Sequence, residues 1–252
     1  MRIAPGEKFA CHAFTRCWLA DGVPPEIELR PRLWAATSLD FDVAEHWRNW
    51  LGSITVDELR EANLIIYTTM ASSRPEILDD ENATLAKVLD YVLFGLLLQG
   101  IPVYNRAYSL NGAHVRGEIN VRQFSDLRGY QPTHELVEFR PGVNELRRAE
   151  ALSVRLQRVN EGGADWGRLR RGVNALLRGS RMDDGTERLH QFVRALEALI
   201  KPDIGNTRRQ FAHRIDQTFT VANAETRETL NQIFDLRSRI EHVHDPLEVL
   251  AG

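Results

Sequence analysis

The sequence predicts an α+β protein: a mixed α/β domain over residues 1–142, followed by an all-α helical domain over residues 143–252. Three observations predict it. Up to residue 142 the apolar residues fall largely in short runs, punctuated by Asp21-Gly22, Pro24-Pro25, Pro31, Asn111-Gly112, Gly117, Gly129, Pro132 and Pro141, as in strands joined by turns. One longer apolar stretch, Leu85 to Val103, departs from that pattern and reads as a buried helix. From Val143 onward the apolar residues recur at helical spacing among many arginines.

Phe9 to Leu19 and Glu26 to Leu39 carry aromatic and alternating apolar residues and read as short strands. Asp42 to Leu51, with Trp47 and Trp50, reads as a short helix. Asn63 to Thr69 is the strongest strand candidate, closed downstream by Ala71-Ser72-Ser73-Arg74-Pro75. A helix is expected from Asn82 to Gln99, with Gly100 where a C-terminal cap belongs. Residues 101–142 resist one assignment: Asn111-Gly112 has turn chemistry, and the region reads as small strands or loop in which Tyr104 and Tyr108 pack.

Asn144 is placed to cap a helix through Asn160, with Glu161-Gly162-Gly163 as its exit. Asp165 to Leu177 follows, carrying Trp166, Leu169, Val173 and Leu176 at helical spacing. After a loop at Gly179-Ser180 and Asp183-Asp184-Gly185, the third helix runs from Thr186 to Lys201, with Phe192, Ala195, Leu196, Leu199 and Ile200 on one face. Further helices are expected over Thr207 to Thr218 and Asn223 to His244, and Asp245-Pro246 reads as the start of another. No internal repeat is visible.

Composition narrows the function classes. The chain has 252 residues, 43% of them hydrophobic and 27% charged, ample for a folded core. A net charge of −3 argues against a protein that coats nucleic acid through bulk charge, but leaves room for a local basic cleft. Arg147, Arg148, Arg155, Arg158, Arg168, Arg170, Arg171, Arg178, Arg181 and Arg188 make the second half locally basic. Such a cluster either tracks phosphates or forms a solvated face with Glu145, Glu150, Glu161 and Asp165. Cys11 and Cys17 are too few for a disulfide framework and fit a reducing, cytoplasmic setting. Cys11-His12 with Cys17 falls short of a four-ligand zinc set, so neither a metal nor another cofactor is expected. Met1 to Gly6 leads into no long apolar run, so no secretory leader is expected. Lys87, Asp90 and Gln99 interrupt the apolar stretch, leaving it short of a membrane span. Phosphate-cradling glycine loops, HExxH and GxSxG are all missing.

The chemistry concentrates near the C-terminal end, in Phe234-Asp235-Leu236-Arg237-Ser238-Arg239-Ile240-Glu241-His242. On a helix, Leu230, Ile233, Phe234, Leu236 and Ile240 share one broad face, and Arg237 projects from its middle. A guanidinium stays charged, so Arg237 is paired internally, placed at a subunit interface, or kept for an anionic ligand. His242 adds a side chain that titrates near neutral pH. Five residues apart, the two project about 140° from each other. Bringing both to one phosphate takes a bend, a long reach by the arginine, or a second copy of the helix, and a two-fold dimer supplies the last. A plain helical reading also stands, because Arg237 with Glu241 and Asp235 with Arg239 are i, i+4 pairs. His213, Arg214 and Arg209, on the preceding helix, are candidate auxiliary RNA contacts, with a solvated helix face as the alternative.

Arg237-x4-His242 within this phrase resembles the R-x4-6-H motif of the HEPN superfamily. Phe192-Val193-Arg194-Ala195-Leu196-Glu197-Ala198-Leu199-Ile200 followed by Pro202-Asp203 is similar to the first HEPN helix and its exit. The likeness covers roughly the last third of the chain. It implies an HEPN-like helical bundle and a metal-independent endoribonuclease, toxin-like or of antiviral defence, that needs no cofactor and acts as a homodimer with a composite site. His242 would transfer protons, Arg237 would stabilise charge on the phosphoryl oxygens, and Ser238 would orient the histidine or donate to phosphate. Attack by the 2′-hydroxyl would leave a 2′,3′-cyclic phosphate and restrict the substrate to RNA. The N-terminal domain would sense or restrain, in concert with an antitoxin or a trigger molecule. The competing class is a non-catalytic HEPN-like module that dimerises or binds RNA or nucleotide.

Overall fold

The computed structural model describes residues 1–15, 17–40, 42, 44–99, 101, 107–127, 140–180, 182, 184–200, 210, 213–214, 228–233 and 235–236. Residues 1–157 and 158–252 form two compact units. Strands and helices together make the protein α+β.

The first unit is built on six strands: β1 (Glu7–Phe14), β2 (Glu26–Arg30), β3 (Leu33–Ala36), β4 (Leu64–Ala71), β5 (Ala107–Val115) and β6 (Glu118–Leu127). They form one antiparallel sheet in the order β2-β3-β4-β1-β5-β6. Central β1 alternates between two cores, as the two-residue repeat of a strand requires. Ala10 and Phe14 face one core with Leu64 and Ile66, against Leu85, Leu89, Val92, Leu93 and Leu96. Phe9, Cys11 and Ala13 face the other with Ile65, Tyr67 and Leu110, where Leu59, Trp47 and Leu51 close over the sheet. With both faces covered, β1 and β4 are buried along nearly their whole length, Lys8 and His12 of β1 and Thr68 and Thr69 of β4 included.

Besides most of a fourth helix over residues 143–161, this unit holds the helices α1 (Glu45–Leu51), α2 (Ser53–Arg60) and α3 (Asp80–Leu98). Only α2 has no counterpart in the sequence pattern. It follows α1 across Gly52, whose φ of 83° turns the chain, and buries only Val56 and Leu59. α3 is the expected apolar helix, capped by the Asp79 carboxylate, which accepts from the Glu81 N–H at 3.0 Å. Gly95 brings α3 against α4 (Val143–Glu161) so closely that a Cβ there would stand 2.0 Å from the Ala149 carbonyl oxygen. Leu146 and Ala149 accordingly belong to the first unit's core.

The hairpin of β5 and β6 resolves part of the ambiguous stretch. Its turn is Arg116-Gly117, with φ of 53° and 82°, the left-handed pair of a tight hairpin turn. Asn111-Gly112 is no turn: it lies inside β5 at a register shift, where a Cβ on Gly112 would meet the Asn120 carbonyl oxygen at 2.0 Å. The glycine serves a bulge and a close strand approach. Tyr108 packs as expected, stacked on Phe124 and donating its hydroxyl to Glu58. Tyr104 and Gly100 lie outside the described residues.

In the second unit, a 3-10 turn (Ala164–Trp166) leads into α5 (Gly167–Ser180), and α6 (Gly185–Ile200) follows. Gly179 and Ser180 close α5 and do not open a loop. Beyond α6, residues 210, 213–214, 228–233 and 235–236 are helical. Among the described residues no helix is long and apolar enough to cross a membrane.

Candidate functional site

The arginines of the second unit divide by what they touch. Arg170 donates to the carbonyls of Asn160 and Gly162, at 3.3 and 3.2 Å, where α4 ends. Arg168 donates to the carbonyls of Ala198 and Leu199, at 2.6 and 2.9 Å, at the end of α6. Arg188 gives two bonds to the Met182 carbonyl, at 3.0 and 2.8 Å. Arg168 and Arg170 satisfy the carbonyls a helix end leaves open and place positive charge at its negative pole.

Arg171, Arg178 and Arg194 do something else. Arg171, Asn174 and Arg178 lie at i, i+3, i+7 on α5, and Gln191, Arg194 and Ala198 at the same spacing on α6. The two rows line a groove of about 590 Å³ together with Ala175, with no carboxylate in its wall among the described residues. Two glycines let the helices approach. A Cβ on Gly172 would stand 2.8 Å from the Ala198 methyl, and one on Gly179 would stand 2.7 Å from the Phe192 ring. Among the described residues none makes a hydrogen bond or ion pair with the three guanidinium groups.

The residues proposed from sequence are placed unevenly. Arg237, His242, Ser238 and Arg209 lie outside the described residues. His213 is exposed and helical. Arg214 donates to the Ile200 carbonyl at 3.0 Å, at the last residue of α6. Leu230, on the segment that leads toward Arg237, packs with Leu196 on Ile200. The groove was missed in the sequence because its residues sit on two successive helices. The repeated i, i+3, i+7 spacing of polar and basic residues was the available signal.

The first unit holds a second charged cluster. Lys8 on β1 is sealed from solvent, and its ammonium lies 2.6 Å from Asp79 and 2.8 Å from Glu81. Ser72 donates to Glu81 at 2.5 Å. Burial pulls the Lys8 pKa down, but the hydrogen bonds it donates to both carboxylates outweigh it and hold it above the ordinary lysine value. The same bonds, from Lys8 first, hold Asp79 and Glu81 below the ordinary carboxylate range. The cluster ties β1 to the start of α3, and its groups satisfy one another. Cys11 and Cys17 lie in different core clusters, and burial pushes both thiols up to about 12, leaving them poor nucleophiles and poor metal ligands. Among the described residues no grouping of His, Cys, Asp and Glu suits a metal ion.

Comparison with protein-family models, curated proteins and solved structures returns no match.

Proposed function

We propose that this chain is a metal-independent endoribonuclease of HEPN type, cytoplasmic and homodimeric, whose C-terminal helices form an HEPN-like bundle. The reading grows from Arg237-x4-His242 and from the likeness of the α6 sequence to the first HEPN helix. The observation that carries it is the packing of Leu230 with Leu196 on Ile200. The helical segment that leads toward Arg237 lies on the helix bearing the other half of the resemblance, as neighbours in one bundle would. The exposed arginines of α5 and α6 favour an anionic substrate.

In this mechanism His242 takes the proton from the ribose 2′-hydroxyl as its oxygen bonds to phosphorus. The bond from phosphorus to the 5′-oxygen breaks, and that oxygen leaves as a 5′-hydroxyl by taking a proton from water, while the His242 imidazolium returns the 2′-hydroxyl proton to solvent. Arg237 neutralises the charge that builds on the non-bridging oxygens. Two facing copies of the helix answer the 140° separation, with Arg237 of one and His242 of the other on the same phosphate. Toxin-type action or antiviral defence, with an antitoxin or trigger acting through the first unit, is the biological setting proposed.

The test is purified protein incubated with total RNA in EDTA, wild type beside His242→Ala and Arg237→Ala, with end-group analysis. Cleavage giving 2′,3′-cyclic phosphate ends, reduced by about 10² to 10⁴ in His242→Ala and lost in Arg237→Ala, is the expected result. Cleavage that survives both substitutions overturns the site. RNA bound but never cut assigns the chain to the non-catalytic class.

A further inference from the structure

We infer that the groove between α5 and α6 is a binding track for the phosphate backbone of single-stranded RNA, separate from the cleavage centre. The inference rests on RNA as the ligand class of the proposed function, not on cleavage itself.

Charge is the first argument. Three arginines line one groove, with no carboxylate in its wall among the described residues, although the chain as a whole carries a net charge of −3. Elsewhere in this unit Arg168, Arg170, Arg188 and Arg214 are engaged with backbone carbonyls. Arg171, Arg178 and Arg194 are exposed and make no such bonds among the described residues. Guanidinium forks match phosphate oxygens two at a time.

Spacing is the second. Arg171 and Arg178 are seven residues apart on α5, about 10.5 Å along the axis at 1.5 Å per residue. A lone phosphate does not span that length, whereas successive phosphates of one strand do. Arg194 meets the same trough from α6, so the charges line both walls. The amides of Asn174 and Gln191 add donors and acceptors suited to ribose hydroxyls and base edges. A concave trough between two helices takes a strand along its floor, while a convex duplex meets only its rim.

Position is the third. On α6, Gln191, Arg194 and Ala198 project on the side of the helix opposite to Leu196 and Ile200, by about 100° per residue. Leu196 and Ile200 are the pair that packs with Leu230. The groove therefore holds substrate on one side of α6, while the segment leading to Arg237 lies on the other. Losing groove arginines should weaken binding and leave the chemical step intact.

The test uses the full chain with His242→Ala, which slows turnover enough for binding to be read, and a short unstructured oligoribonucleotide, with affinity measured across a salt series. One variant carries Arg171→Gln, Arg178→Gln and Arg194→Gln. A charge-matched control carries Arg48→Gln, Arg60→Gln and Arg74→Gln, exposed arginines of the first unit. Each phosphate contact contributes about 0.7 to the slope of log K against log salt for a single strand. The groove variant should lose about 2 from that slope, with the control unchanged. Equal slopes in the two variants, no change in the groove variant, or a preference for duplex over single strand each overturn the track. With His242 restored, the groove substitutions should raise KM about tenfold or more at constant kcat, and a fall in kcat alone also overturns it. A groove effect on binding in a chain that never cuts RNA sinks the ribonuclease reading alone. Cleavage with no groove effect sinks only the track.

Discussion

Lys8 in the first unit is sealed from solvent and held by two carboxylates at 2.6 and 2.8 Å, whereas Arg171, Arg178 and Arg194 in the second stand exposed around one groove without a carboxylate among its described lining residues. A cation that has given up water needs its partners built in, because desolvation costs more than any single surface contact returns. A cation left in water costs the fold little and keeps its charge for something that arrives later. Lys8 is thus part of the architecture of a scaffold, whereas the three arginines keep their charge at the surface, where the proposed RNA track would use it. Glycines show the same contrast. Gly95 lets α3 press on the backbone of α4, while Gly172 lets α5 press on a methyl group of α6.

The largest expected effect is that of Gly95→Ala. The new methyl would stand 2.0 Å from the Ala149 carbonyl oxygen and 2.7 Å from its carbon, and backbone at that range has no rotamer by which to yield. Overpacking of this kind should destabilise by about 3 kcal/mol or more, well beyond the helix-propensity gain of roughly 1 kcal/mol. The urea midpoint should fall accordingly, while the salt slope of RNA binding by the folded protein stays as in wild type. An unchanged midpoint would mean that α3 and α4 do not meet so closely.

Gly172→Ala comes second and sharpens the contrast. Its methyl would meet the Ala198 methyl at 2.8 Å and the Ala195 carbonyl oxygen at 3.3 Å. Side chains give way more readily than backbone, and the propensity gain offsets part of the strain, so the loss should stay near 1 kcal/mol. Because α5 and α6 must part slightly, RNA affinity should drop a few-fold through the groove. A stability loss as large as that of Gly95→Ala, with affinity untouched, would remove the distinction between the two units.

The elements legible in the sequence were those whose pattern is local. β4 lies within two residues of the Asn63 to Thr69 expectation, and α3 of Asn82 to Gln99, because apolar continuity is a property of neighbouring residues; the Asp79 cap of α3, three residues ahead of that expected start, was not singled out. The β5–β6 hairpin was obscured by Asn111-Gly112, whose turn-like chemistry is used for a bulge, while the turn itself falls on Arg116-Gly117. α2 buries only two residues and so carries little periodic signal. Arg237 and His242 were singled out by spacing and resemblance alone. The groove was not singled out, since it exists only once Gly172 and Gly179 bring two helices together. No residue in the one-dimensional record distinguishes Arg171, which faces the groove, from Arg170, which closes the end of α4.

The smallest effect concerns pH, and it probes the Lys8 cluster directly. Asp79 and Glu81 have folded-state pKa values lowered from 3.8 and 4.5, chiefly by hydrogen bonds from Lys8. A lowered carboxylate pKa means that the unfolded chain binds more protons, so the contribution to stability is present above the unfolded value and is lost as pH falls through the folded one. For Lys8, whose pKa is raised from 10.5, the contribution is present below that value and is lost as pH rises through the folded one. The cluster therefore supports the fold across neutral pH and withdraws at both ends, below about 4 and above about 10. Asp79 and Glu81 remain 23% and 39% exposed, which lets protons reach them without prior unfolding. Urea midpoints measured from pH 7 down to pH 3 should fall more steeply in wild type than in Lys8→Met, which lacks the ammonium that lowers both carboxylates. Parallel acid limbs would mean that the carboxylates owe their low pKa to something other than Lys8, and the scaffold reading of the buried cation would lose its support.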